Sequence, residues 1–372
     1  MADQSSSGSR IRSSGKRRKP PSGGRRALTI LAWSAAGIAL IGGSGLGYVY
    51  VTLNDNIQGV DINAALGADR PDDVDNGSMD ILVLGSDSRS GANSEYGADE
   101  GGARSDTAMI VHVYEGHKRA SVVSIPRDTL VTRPMCADAE GATVPARPRV
   151  MFNTAYEVGG PACAVKTVET MSGIRMDHYI EVDFTGFKRL VDELGGVKIT
   201  TTRAIEDGKS HLDLQPGAHT LDGEQSLGLV RTRKSVGDGS DLGRIQLQQA
   251  FIKALIDQVK SVGVLTSPKK LFDLADTATK AITPDSELDS VDELTGFART
   301  LSGLGADDVQ MITLPVRYDT VDPNRVVPLL GASQQVWTAL KQDKPIPASA
   351  TEDAVTGQAA GVVEQPSGRM AE

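Results

Sequence analysis

Arginines and aspartates recur at the ends of apolar runs in this chain. Asp87 follows one run in Gly85-Ser86-Asp87-Ser88-Arg89, and Asp106 precedes the next in Arg104-Ser105-Asp106-Thr107. Arg127 and Asp128 close a third in Ile125-Pro126-Arg127-Asp128-Thr129. Further on come Val230-Arg231-Thr232-Arg233-Lys234 and Ser240-Asp241-Leu242-Gly243-Arg244, with Gln248 one helical turn beyond Arg244 on the same face. Any one of these residues could be a solvated charge or a helix cap. As a set they mark strand ends, where open α/β sheets place their binding sites. Guanidinium forks grip a polyanion, and carboxylates hold a hard cation that touches the same anion. A pyrophosphate satisfies both, with arginine and metal stabilising the leaving phosphate as its bond breaks. The chain has no His-Glu-x-x-His, no phosphate-binding P-loop and no Gly-x-Ser-x-Gly, and its five histidines lack metal-ligand spacing.

The elements that must position these residues are legible from periodicity. Asp80–Gly85 is a short apolar run ending in glycine and reads as a buried strand. Ala108–Tyr114 and Ala120–Ile125 are rich in β-branched residues and read as two paired strands, the second stopped by Pro126. Gly85–Gly102 and Thr132–Pro148 read as loops. Helices are expected at Ala162–Met171, Phe184–Leu194, Leu221–Val230, Asp241–Val262, Pro268–Ala281 and Leu288–Leu304. Strands are expected at Tyr179–Val182, Val197–Thr201 and Val309–Leu314. Strands interleaved with helices make the chain α/β or α/β/α.

Charge divides the 372 residues unevenly. Residues 1–26 hold eight Lys or Arg and one acid, which leaves 31 basic against 47 acidic residues in the rest. An acidic body argues against nucleic acid as a partner. The uncharged apolar stretch 27–53 is long enough for one membrane-spanning helix, which needs about 20 residues. Basic residues before it and acidic ones after orient the chain with its N-terminus in the cytoplasm. A cleaved signal peptide is the alternative, but bulky Tyr48-Val49-Tyr50-Val51 offers no small-residue cleavage site. The expected organisation is a disordered basic tail over 1–26, a transmembrane helix over 27–53 and a polar stalk over 54–78. A catalytic domain over 79–318, its extension over 319–344 and a disordered tail over 345–372 complete it. An extracytoplasmic domain permits disulfides, so Cys136 and Cys163 are expected to pair, two separate thiols being the alternative.

At these same residues the chain resembles the LytR-CpsA-Psr family of envelope proteins. The matching stretches run in the family's order. They are Asp80–Arg89 (DILVLGSDSR), Arg104–Thr107 (RSDT), Ser124–Thr129 (SIPRDT), Asn153–Gly160 (NTAYEVGG), Asp177–Phe187 (DHYIEVDFTGF), Leu194–Val197 (LGGV), Leu221–Gly223 (LDG), Val230–Arg233 (VRTR) and Ser240–Gln249 (SDLGRIQLQQ). The resemblance implies a single α/β/α domain with a central mixed sheet. It implies a membrane-anchored transferase that moves a glycopolymer from a polyprenyl-pyrophosphate carrier to peptidoglycan, with Mg²⁺ as cofactor and Mn²⁺ as the alternative. Carried over by residue, it puts Asp87 and Asp106 on the metal and Arg104, Arg127, Arg231, Arg233, Arg244 and Gln248 around the pyrophosphate. It makes Asp106, Arg127 and Arg244 catalytic, with Asp106 as the candidate general base, and has Asp241 orient Arg244. Its partners would be the polyprenyl-linked glycopolymer, peptidoglycan and the cytoplasmic membrane. A non-catalytic polyprenyl-phosphate binder and a polyprenyl-pyrophosphate pyrophosphatase are the competing readings. The chain departs from the family where Val150-Met151-Phe152, rather than a lysine-bearing segment, precedes Asn153.

Overall fold

The computed structural model of the chain describes residues 47–86, 105–138, 140–233, 236–237, 239–261 and 268–364. Most of the expected transmembrane stretch, and Asp87, Arg104 and Lys234 with it, lie outside the described residues. Among the described residues no helix is long and apolar enough to cross a membrane.

The three apolar runs form adjacent strands β1 (Met79–Ser86), β2 (Ser105–Val113) and β3 (Ala120–Ile125). The intervening short strands are β4 (Leu130–Arg133), β5 (Cys136–Ala137), β6 (Thr143–Val144) and β7 (Arg147–Met151). After them come β8 (His178–Asp183), β9 (Val197–Thr201), β10 (Ile205–Asp207), β11 (Leu212–Leu214) and β12 (Gly217–Leu221). The rest are β13 (Ile282–Pro284), β14 (Val309–Thr313), β15 (Val316–Tyr318), β16 (Val326–Pro328) and β17 (Val363–Glu364). The helices are α1 (Ile62–Leu66), α2 (Asn153–Ser172), α3 (Phe184–Glu193), α4 (Gly223–Arg231), α5 (Asp241–Ser261), α6 (Pro268–Ala281), α7 (Val291–Leu301) and α8 (Leu330–Lys341).

A six-stranded sheet in the order β13-β8-β1-β2-β3-β14 forms the centre. β8 runs parallel to β1 and β14 parallel to β3, while β1, β2 and β3 alternate in direction, so the sheet is mixed. Its central strands are mostly apolar because both faces are covered, as buried strands require. Leu82, Leu84, Ile110, Val123 and Ile125 face α2 and α8, packing with Val165, Val168, Val336 and Trp337. Ile81, Met109, Val113 and Val122 face the opposite way, toward Ile252 and Ile256 of α5 and Phe297 and Leu301 of α7. That alternation is the period of two that a strand imposes. The result is the α/β/α arrangement expected. A smaller sheet, β12-β9-β17, packs with the other side of α5 through Ile199, Leu221, Leu247 and Phe251.

Four expectations are revised. The segment Thr132–Pro148 is not a plain loop but carries β5 and β6, and β4 pairs with β7 across it. The stalk is in part core: Ile62 and Leu66 of α1 are buried beneath α2, and Ile57 is buried as well, as is Leu53 at the end of the expected transmembrane stretch. The tail from 345 is ordered as far as 364, where β17 adds to β9. Finally, α2 begins at Asn153, nine residues before the expected start, and is kinked at Gly159 and Gly160, which hold non-helical angles before Pro161. Pro161 could not accept helical geometry from the preceding turn. Gly159 is needed for another reason: a Cβ there would meet the carbonyl oxygen of Ala137 at 2.3 Å. The expected Cys136–Cys163 disulfide is formed, joining β5 to α2 at this close approach.

Candidate active site

Strand directions gather the chemistry at one edge. β1 and β8 both end there, at Ser86 and Asp183, because they are parallel and paired Ser86 to Asp183. β2 starts there, since Thr107 is opposite Gly85 and Ser105 opposite Ser86. β3 ends there, with Ile125 opposite Ala108, and hands the chain to Pro126-Arg127-Asp128. The Asp106 backbone thus lies opposite the irregularity between Gly85 and Ser86.

The arginines come from three further segments. α4 is started by a reciprocal cap, with Asp222 accepting from the Gln225 amide and the Gln225 side chain accepting from the Asp222 amide. It ends at Arg231, and Thr232 then turns the chain by donating to the Gly228 carbonyl at 2.9 Å. The Arg231 guanidinium is over the Phe184 ring, 5.2 Å from its centre. The Arg233 amide donates to Asp207 at 3.1 Å, anchoring the Arg-Thr-Arg segment on β10. α5 opens with Asp241, a carboxylate in the first turn where the helix dipole favours one.

Asp241 is the hub. Its carboxylate forms an ion pair with Arg244 Nη2 at 2.5 Å and accepts a hydrogen bond from the Arg127 amide at 3.2 Å. Arg127 Nε at 3.7 Å and Arg233 Nη2 at 3.8 Å complete the ring at ion-pair range. Arg244 is 3% exposed and Asp241 8%, whereas Arg127 and Arg233 are 22% and 30% exposed. The buried pair therefore forms a floor, and the two more open guanidiniums face the side from which an anion can arrive. Gln248, also buried, donates to Thr107 Oγ1 at 3.0 Å and to the Val230 carbonyl at 2.9 Å. It ties the start of β2 to the end of α4.

The structure thus brings Arg127, Arg233, Arg244 and Asp241 together and places Arg231 and Gln248 beside them. Of the metal pair, Asp106 is at the same edge and Asp87 lies outside the described residues, as does Arg104. Among the described residues no group of three or more His, Cys, Asp or Glu is disposed to hold a metal ion. Sequence reading missed Arg325. It reaches Asp128 at 3.4 Å, and Asp128 in turn is 3.8 Å from Arg127 Nε. Arg325 lies in the turn Asp322-Pro323-Asn324-Arg325, which has no periodicity or motif to announce it. Two residues inside the edge, Glu181 of β8 accepts from the hydroxyls of Tyr156 at 2.8 Å and Tyr179 at 2.6 Å. Burial, then the Glu181 charge, push the Tyr179 hydroxyl well above its ordinary pKa, so it stays a donor.

An α/β/α domain with a cluster of arginines around one buried aspartate at the sheet edge defines a class of anion-binding proteins. The chain belongs to the LytR_cpsA_psr family, whose sequence model matches residues 49–342. It is similar to the cell wall biosynthesis protein LcpA of Corynebacterium glutamicum, 31% identical over 86% of this chain and 67% of that protein. It is also 34% identical to the polyisoprenyl-teichoic acid–peptidoglycan teichoic acid transferase TagT of Bacillus subtilis, over 70% of this chain and 78% of that one. Among solved structures, TagT bound to LI-WTA matches with a TM-score of 0.54 and 28% identity, covering 74% of this chain and 96% of that one. TagV of Bacillus subtilis matches with a TM-score of 0.56 and 25% identity over 73% of this chain and 98% of that one.

Proposed function

We propose that the protein transfers a glycopolymer from a polyprenyl-pyrophosphate carrier to peptidoglycan. The observation that carries this reading is the convergence of Arg127, Arg233 and Arg244 on Asp241 at the sheet edge. In the reaction an acceptor hydroxyl attacks the phosphorus that bears the glycan. The bond to the bridging pyrophosphate oxygen breaks, polyprenyl phosphate leaves, and the hydroxyl proton passes to a base. Arg127 and Arg233 bind the charge that builds on the leaving phosphate. Asp241 keeps their guanidiniums aimed without competing fully for them, because both ion pairs are long. Asp106, at the same edge, is the base. With Asp87 it would hold Mg²⁺, a cation that takes one or two carboxylates plus phosphate oxygens, and which when bound neutralises pyrophosphate charge. The likeness to TagT and LcpA supports the same wall-assembly role, and the stretch 27–53 supports an anchor in the cytoplasmic membrane with the domain outside.

The test uses the full chain in detergent, a polyprenyl-pyrophosphate-linked glycan and peptidoglycan, with Mg²⁺ or with chelator. Mass spectrometry follows glycan joined to muropeptide. Mg²⁺-dependent joining that is lost in Arg127→Ala supports the proposal. Release of glycan phosphate without joining replaces it with hydrolysis. Retained lipid with no turnover replaces it with a binding role.

A further inference from the structure

β4 and β7 place two arginines face to face. Arg133 and Arg147 are cross-strand partners, and no carboxylate is within ion-pair distance of either among the described residues. Like charges directly opposite each other destabilise a strand pair. Arg133 is 4% exposed; its Nη2 donates to the Pro145 carbonyl at 2.7 Å, while the buried Nη1 has no hydrogen-bond partner. Burial first, and then the charge of Arg147, lower the Arg133 pKa from its ordinary range. Both residues line a cavity of about 470 Å³ together with Arg149 and Arg325. The carboxylates in its wall are already engaged. Asp319 accepts from Arg149 at 2.9 Å and from the Asp322 amide at 3.1 Å. Asp322 is 3.7 Å from Arg325 and accepts from the Asn324 amide at 3.0 Å. Two positive charges are therefore left without an opposite charge in one concave site. Leu130, Val150, Met151 and Val158 supply its apolar wall.

This cavity adjoins the candidate active site. Arg325 joins them, lining the cavity and pairing with Asp128, the neighbour of Arg127. The hairpin bearing the arginines is fixed to α2 by the Cys136–Cys163 disulfide, so its charges are held in place. We infer that the cavity is a second anion subsite, in which Arg133 and Arg147 receive a carboxylate or phosphate carried by a wall-polymer chain whose reacting end is at Arg127. The inference rests on the transfer reading for the identity of that chain. The same chemistry has two sources: peptide carboxylates of the acceptor, or phosphates along the transferred polymer. The apolar wall suits methyl-bearing peptide next to the carboxylate.

The test measures equilibrium binding to the full chain in detergent. Its probes are a disaccharide–tetrapeptide from peptidoglycan, the same fragment with its carboxyls amidated, and a short glycerol-phosphate oligomer. Arg147→Glu is expected to weaken at least one anionic probe roughly tenfold or more, the loss of a charge-assisted hydrogen bond. Inorganic pyrophosphate should bind that variant as before, Arg147→Lys should restore most of the affinity, and the amidated fragment should not discriminate between wild type and variant. The anionic probe that loses affinity names the source. Unchanged affinity for both anionic probes overturns the subsite. Should Arg147→Glu fail to fold, Arg147→Gln, which removes the charge without reversing it, gives the same reading. Charge-sensitive muropeptide binding in a protein that performs no transfer would sink the transfer reading and leave the subsite. Normal transfer with an unchanged KM in Arg147→Glu would do the reverse.

Discussion

Removing the Asp241 carboxylate should unlock the arginine cluster at a cost that can be worked from its geometry. In Asp241→Ala, Arg244 keeps its charge at 3% exposure and loses a partner at 2.5 Å. Breaking a buried pair from one side costs about 3–5 kcal/mol. The Arg127 amide also loses its acceptor, worth about 1 kcal/mol. The long contacts to Arg127 and Arg233 add little, since exposed pairs contribute about 0–1 kcal/mol. Together these give a loss near 4–6 kcal/mol, a large part of a typical stability of about 5–15 kcal/mol. At about 2–4 °C per kcal/mol the Tm should fall by roughly 8–24 °C. The assay is urea unfolding followed by circular dichroism, run as a double-mutant cycle with Arg244→Ala. A coupling energy of about 2–3 kcal/mol is expected, because the double variant leaves no stranded charge. A coupling below about 0.5 kcal/mol would refute the reasoning, since independent sites add to within that margin. Inorganic pyrophosphate should raise the Tm of wild type more than that of Asp241→Ala, because only an aimed cluster binds it well.

The ordered tail should matter to the site. A Cβ on Gly357 would meet the Gly243 backbone nitrogen at 1.8 Å, so Gly357→Ala should cost about 1–3 kcal/mol and weaken pyrophosphate binding through α5. Gly331→Ala, with nothing within 4 Å, is the control and should hold or gain stability; equal effects in the two variants would dismiss the contact. Stability should also depend on His112. Burial pulls its pKa down, but hydrogen bonds and charges of Asp80 at 2.9 Å and Asp343 at 3.1 Å outweigh this and leave it raised. A raised folded pKa stabilises fully below the ordinary histidine value of about 6.5, and the gain disappears as pH climbs through the folded value. Burial also raises the Asp80 pKa, which works in the same direction. Urea midpoints between pH 6 and 9 should therefore fall more in wild type than in His112→Gln; parallel slopes would exclude His112 as the source. Cys136→Ser with Cys163→Ser opens a loop of 27 residues and should cost about 2–4 kcal/mol. An unfolding curve that ignores reductant would contradict that.

How much was legible in the sequence varies by element. The strands Ala120–Ile125 and Val197–Thr201 coincide with their expected bounds, as does helix Pro268–Ala281. Strand β3 is buried on both faces along its whole length, and its β-branched and small residues carry that pattern without any partner being known. The arginine and aspartate positions were legible for a related reason: each follows or precedes such a run. The hairpin of β4 and β7 was not legible. It is rich in proline and arginine, half exposed, and becomes a strand pair only by docking beside α2. Nor was the burial of Ile62 and Leu66, two apolar side chains in a polar stretch whose burial depends on the surface that α2 presents.

The sequence by itself determined the class of fold, the order of the buried strands and the list of charged residues at their ends. Those follow from local patterning, because burial and backbone hydrogen bonding act on every residue of a strand alike. Tertiary structure alone decided which of those charges meet. Arg127, Arg233 and Arg244 are separated by up to 117 positions, and only the antiparallel and parallel pairings of β1, β2, β3 and β8 bring their segments to one edge. It also decided that Gln248 would tie β2 to α4, that Arg325 would reach Asp128, and that Gly357 would close on Gly243. Each is a single contact between distant segments, and one contact leaves no periodic trace in a chain.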